Sequence, residues 1–161
     1  MVALFVVLAF AQAAAEVEAL YTRGLADAHA AFAKGAPPES LAPVREAIAA
    51  LLKISGERPG PAEIARLTLH AAAAGAQSER DEMALYLDQA TRMEVLQREA
   101  GQPGAPGVSA LEVAGDLWLQ VFRYDEAITA YERAAQYVGM TPGIRDGLAR
   151  ARARLKATAP R

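Results

Sequence analysis

Punctuation constrains this chain most. Long stretches of Ala, Leu, Glu, Arg and Gln, the strongest helix formers, alternate with short breaks rich in proline and glycine. The breaks are KGAPPES at 34–40, SGERPGP at 55–61, GAQS at 75–78 and GQPGAPGVS at 101–109. No segment alternates Val, Ile or Thr with polar residues, so strands are not expected. Alanine alone supplies 39 of the 161 residues, which pushes each stretch further toward helix. The pattern predicts an all-α fold with seven helices, at about 14–34, 39–54, 61–74, 79–100, 109–122, 125–138 and 143–157.

Several helix starts carry capping residues. Ser109 with Glu112 fits a reciprocal capping box, and Ser78 with Asp81 is a weaker version. Thr141-Pro142 places a hydroxyl before a proline at the first helical position. Asp125 is placed to cap a helix that begins just after Tyr124.

The helices also repeat in pairs. Small residues on the first helix of each pair, Gly24, Ala71 and Gly115, are 47 and 44 residues apart. On the second helices, Ala47, Ala90 and Ala134 are 43 and 44 apart. A helical hairpin cannot bury its apolar face alone, so neighbouring hairpins must stack. In the last pair, Leu111, Gly115, Trp118, Tyr124, Ala127, Tyr131 and Ala134 alternate large and small residues at helical spacing. The small ones let two antiparallel helices approach, and the large ones fill the wedges between hairpins.

This last pair resembles a tetratricopeptide repeat, whose signature is W-x2-L-G-x2-Y, then A-x3-F, then P. Leu111 stands where tryptophan is typical, and Pro142 comes eight residues after Ala134, later than the family places it. The resemblance covers 109–142 firmly and 14–100 loosely. It implies a tandem array of antiparallel helical hairpins, an α-solenoid of about three repeats, with 143–157 as the capping helix. It also implies that the first helices line a groove that binds another protein. From the third hairpin the groove would take Glu112, Asp116, Leu119 and Gln120. The second would supply Ala65, Thr68 and Ala72, and the first Glu18, Tyr21, Leu25 and His29. Members that clamp a carboxylate terminus use Lys, Arg and Asn in the groove. This chain has Glu112 and Asp116 there and no asparagine at all. The implied partner is therefore a basic or amphipathic protein segment.

Composition narrows the function classes. No cysteine is present, which excludes disulfides, thiolate metal sites and a cysteine nucleophile. His29 and His70 are the only histidines and have no H-E-x-x-H spacing, so no metal is expected. There is no G-x-S-x-G elbow and no phosphate-binding GxxxxGK[ST] loop. Gly101, Gly104 and Gly107 follow no strand and read as linker. No enzymatic role and no cofactor are expected. A net charge of −2 argues against nucleic acid as a partner.

The amino terminus reads as an address. Val2 to Phe10 is wholly apolar, AQAAA follows, and Glu16 is the first charge. An apolar run ending in an A-x-A site is the pattern of a secretory signal peptide. The triplets are Ala9-Phe10-Ala11, Ala11-Gln12-Ala13 and Ala13-Ala14-Ala15. The run is short of the about 20 residues that span a bilayer. The sequence thus divides into a signal peptide, 1–13, and a helical repeat domain, 14–161. Arg outnumbers Lys fourteen to three, which with the alanine content suggests a GC-rich bacterial genome and a periplasmic or secreted product. The expected function is a non-enzymatic interaction module of the cell envelope. Two other readings stay open to the sequence. One is a structural subunit of a homo-oligomer. The other is an assembly factor anchored in the membrane by 2–15, with Arg145, Arg150, Arg152, Arg154, Lys156 and Arg161 of the basic tail on lipid.

Overall fold

The structure is a computed structural model that describes residues 2–56 and 60–158, with side chains from Ala11 onward. Arg161 lies outside the described residues. Seven α-helices are present among them: α1 Val2–Ala33, α2 Ala42–Ser55, α3 Pro61–Ala76, α4 Arg80–Glu99, α5 Ala110–Gln120, α6 Tyr124–Val138 and α7 Pro142–Thr158. A single 3-10 turn, Pro38–Leu41, leads into α2. No strand occurs among the described residues. The expected breaks fall between these helices. The one large difference is the start of α1, which runs unbroken from Val2 instead of starting near 14. No glycine or proline occurs before Gly24, so nothing in that stretch stops a helix.

Four helix ends close in the same way. Gly35, Ser78, Gly101 and Phe122 adopt left-handed backbone, with φ of +79°, +65°, +69° and +64°. The next residue in each case donates its amide to the carbonyl five positions back: Ala36 to Ala31, Glu79 to Ala74, Gln102 to Gln97 and Arg123 to Trp118, at 2.8–2.9 Å. This is the Schellman closure. It corrects the reading of Ser78, which ends α3 and does not cap α4 with Asp81. α4 starts after Glu79 without a side-chain cap. Likewise α6 starts after Arg123, and Asp125 lies inside its first turn. Thr141 caps α7 as expected, its Oγ1 accepting the Ile144 amide at 3.1 Å.

The helices pack in sequence order. The odd-numbered helices form an inner row, in which α1 touches α3, α3 touches α5 and α5 touches α7. Each even helix packs chiefly on the odd helices before and after it. α3 therefore has neighbours on almost every side, and 11 of its 16 residues are buried. The small residues sit where the helices meet. Ala47, Ala71, Ala90 and Ala134 are buried. A Cβ on Gly24 would lie 2.6 Å from Leu69 Cδ1. One on Gly115 would lie 2.5 Å from the Tyr131 ring, and Gly147 of α7 closes on the same ring from elsewhere. Leu111, Ala127, Tyr131 and Ala134 are buried in one cluster with Ile144 and Leu148. Trp118 and Tyr124 are half-buried.

The start of α5 is held by a residue far away in sequence. Ser109 Oγ accepts the Leu111 amide at 3.1 Å. The expected partner Glu112 does not return the bond, and instead accepts from Thr141 Oγ1 at 3.1 Å. Glu94 of α4 occupies the cap. Its carboxylate, wholly shielded from solvent, accepts from Ser109 Oγ at 2.9 Å and from the Leu111 amide at 3.2 Å. Its other oxygen accepts from Arg98 at 2.8 Å. Gly104 passes so close to Glu94 that a side chain there would collide with it.

Candidate functional site

The inner row leaves a trough between α1 and α5, with α3 as its floor. Two adjoining hollows make it up. The first, about 310 Å³, is lined by Leu25, Ala28 and His29 of α1, Ala72 of α3, and Val113, Asp116, Leu117 and Gln120 of α5, with Val108 at its edge. The second, about 360 Å³, is lined by His29, Phe32, Asp116, Leu119, Gln120 and Arg150. His29, Asp116 and Gln120 belong to both, so the trough is continuous from the α4–α5 linker to α7. On α1, Leu25, His29 and Phe32 recur at steps of four and three, which keeps them on one face.

Of the sequence-derived groove residues, Leu25, His29, Ala72, Asp116, Leu119 and Gln120 line this trough. Tyr21 and Thr68 do not, because both are completely buried, as is Ala65. They lie on the faces by which α1 and α3 pack into the core, and the linker 101–109 also folds back at this end. Ala105 is buried in the main core cluster, and Gly107 lies against Glu18 and Thr22 of α1. The Thr68 hydroxyl donates to the Ile64 carbonyl at 2.8 Å. Burial pushes the ionisation of the Tyr21 hydroxyl far up, with the neighbouring Thr68 side chain opposing. Glu112 also stands apart from the trough, bonded to Thr141 at the start of α7.

Seven trough residues were missed: Ala26, Ala28, Phe32, Val108, Val113, Leu117 and Arg150. Phe32 carried a signal, since it continues the Leu25–His29 face by one more step. Arg150 carried none, because the azimuth of α7 depends on how Gly147 seats on Tyr131.

The electrostatics of the trough are mixed. Asp116 accepts from the Tyr131 hydroxyl at 2.6 Å and faces Arg150 at 3.7 Å. Burial raises the Asp116 carboxyl above its ordinary value, against the lowering effects of Tyr131, Arg150 and His29. Burial also raises Glu112, the Thr141 hydroxyl opposing and the Asp116 charge adding. Tyr131 is raised by burial first and then by Asp116. The acid is therefore engaged within the fold, and Arg150 adds positive charge beside it. Other tail cations are also paired: Arg152 with Glu132 at 2.9 Å and Arg145 with Asp146 at 3.2 Å.

A separate hollow of about 380 Å³ opens between α4 and α6, over Leu111, Ala114 and Trp118. His70 lies on the outer side of α3, stacked on Tyr86 with ring centres 4.6 Å apart. Among the described residues, no group of three or more His, Asp or Glu side chains is placed to hold a metal ion. No described helix is long and apolar enough to cross a membrane. No family model matches the chain, and neither a curated protein nor a solved structure matches it.

Proposed function

We propose that the chain is a tetratricopeptide-like array of three helical hairpins with α7 as its cap. In this reading it is a non-enzymatic adaptor of the bacterial cell envelope, and it holds an amphipathic segment of another protein in the α1–α3–α5–α7 trough. The observation that carries the reading is the trough itself, an apolar floor of Ala28, Ala72, Val113 and Leu117 with the polar rim of His29, Gln120 and Arg150. An apolar floor with a polar rim suits a segment with one apolar face. Because Asp116 is engaged by Tyr131, the apolar contacts carry more of the binding than attraction to a basic partner. The periplasmic or secreted location belongs to the same proposal and rests on the leader pattern of 2–15.

The test is affinity capture from envelope extract with three altered baits. Leu25→Arg and Gln120→Arg block the trough from opposite walls. Leu85→Arg changes an exposed residue of α4, half of it open to solvent, outside the trough. Loss of one captured protein with both trough variants, and its retention with Leu85→Arg, is the expected result. Equal capture by all baits overturns the trough as the binding surface. Glu112→Arg and Asp116→Arg are unsuitable, since both would break contacts that seat α7.

A further inference from the structure

We propose that the chain carries a proteolytic processing site at the Ala15–Glu16 peptide bond. The agent is an envelope endopeptidase that reads small residues at the first and third positions before the cut. The inference rests on the export reading and not on the trough.

From Ala11 onward, packing of α1 begins just beyond that bond. Residues 11–16 are all exposed. Six consecutive residues sweep about 600° around a helix axis, so no face of this segment is covered. Among the residues from Ala11 onward the first buried one is Val17, followed by Tyr21, Gly24, Ala28 and Ala31 at alternating steps of four and three. This stripe is what docks α1 on α2 and α3. Loss of residues 11–15 takes nothing from it.

Four of the other six helices carry an acid in the first turn, and α2 and α7 carry none. α3 begins with Glu63, α4 with Asp81 and Glu82, α5 with Glu112, and α6 with Asp125 and Glu126. Acids there oppose the positive end of the helix dipole. α1 has no acid in its first turn as it stands. A chain that begins at Glu16 brings Glu16 and Glu18 into that turn.

The sequence before the bond has the required form. Ala13-Ala14-Ala15 supplies both small residues and lies clear of the apolar run that ends at Phe10. Ala9-Phe10-Ala11 overlaps that run. A cut after Ala13 leaves two further residues that pack on nothing. The reaction is hydrolysis. Water adds its hydroxyl to the Ala15 carbonyl carbon, the C–N bond breaks, and the Glu16 nitrogen leaves as a free amine after taking the proton. A helical backbone does not fit a cleft that takes extended chain, so the cut precedes folding of this turn. Every trough residue lies downstream and is kept.

The test expresses the full chain in a bacterium, followed by intact-mass analysis of the periplasmic fraction. A single species lacking residues 1–15 is the expected result. A species beginning at Gln12 or Ala14 overturns the assignment of the bond while leaving export intact. Full-length chain confined to the cytoplasm overturns export itself, and trough binding is still scored separately by the capture experiment. The double variant Ala13→Leu, Ala15→Leu changes two exposed positions. It is expected to abolish the mass loss while leaving the far-ultraviolet melting curve of the body unchanged. Unaltered processing of this variant overturns the proposal.

Discussion

Glu94 and Ser109, fifteen residues apart, are joined by a 2.9 Å hydrogen bond in which a wholly buried carboxylate accepts from the residue that caps α5. The same carboxylate is bound by Arg98, which is only partly exposed. The end of α4, the linker and the start of α5 are thereby tied at one point. Glu94→Ala strands the Arg98 guanidinium and leaves Ser109 without its acceptor. Breaking a buried pair by removing one partner costs about 3–5 kcal/mol. Ser109→Ala removes the hydroxyl cap at a cost of about 1 kcal/mol. Urea unfolding of the two variants is expected to show the larger loss for Glu94→Ala. Equal losses would mean that the carboxylate does not anchor the linker.

Tyr131 is gripped between two helices, with Gly115 of α5 and Gly147 of α7 both against its ring. Gly147→Ala puts a methyl where the ring already stands, and Tyr131 cannot retreat because Gly115 closes its other approach. Overpacking of this kind costs about 1–3 kcal/mol. Ala127→Leu and Ala134→Leu, at fully buried sites of α6, are expected to cost a similar amount, about 1–3 kcal/mol. A thermal melt of Gly147→Ala that coincides with the unaltered chain would place α7 elsewhere.

Phe122 ends α5 in left-handed backbone with most of its side chain in solvent. For an L-residue that conformation costs about 1–2 kcal/mol. Glycine relieves it and gives back about 0.5–1 kcal/mol through the freedom of the unfolded chain. Phe122→Gly is therefore expected to stabilise the protein by about 0.5–1 kcal/mol, the difference between those terms. A lowered melting temperature would show that the exposed ring makes a contact worth more than the strain.

How much was legible depended on how local the cause was. The helices from α2 to α7 and the Thr141 cap follow from adjacent residues, and the structure has them close to where spacing placed them. Ser78 was misread because a hydroxyl before a helix and a left-handed residue after one look alike in the sequence. The capping box failed for a different reason. Ser109 and Glu112 have the right spacing, yet a buried carboxylate from α4 reached the α5 amide, and Thr141 drew Glu112 away. In the trough, Asp116, Leu119 and Gln120 of α5 and Leu25 and His29 of α1 stand where the repeat resemblance put them, whereas Val113 and Leu117 of α5 were missed and Glu112 lies outside. Tyr21 and Thr68 were misplaced because both turn into the core, Tyr21 on the buried stripe of α1 that docks on its neighbours and Thr68 on the almost fully buried α3.

Glu63 accepts two hydrogen bonds from Arg66, at 2.6 and 2.7 Å, and one from Ser55 of α2 at 3.1 Å. The Arg66 guanidinium, with Ser55 and the more distant His70 assisting, holds the Glu63 carboxyl below its ordinary value against the opposing effect of burial. A carboxyl lowered in the folded state releases its proton more readily there than in the unfolded chain. Its contribution to stability is complete above the unfolded glutamate value, about 4.3, and disappears as pH falls through the lower folded value. Glu63→Gln is therefore expected to melt below the unaltered chain at pH 7. The gap should narrow as the pH falls through the lowered folded value, below which both chains carry a neutral side chain at this position. Melting temperatures of the two proteins between pH 7 and pH 3 measure this directly. A gap that stays constant across the range would assign the loss at position 63 to packing and not to the carboxylate that pairs with Arg66 and accepts from Ser55 of α2.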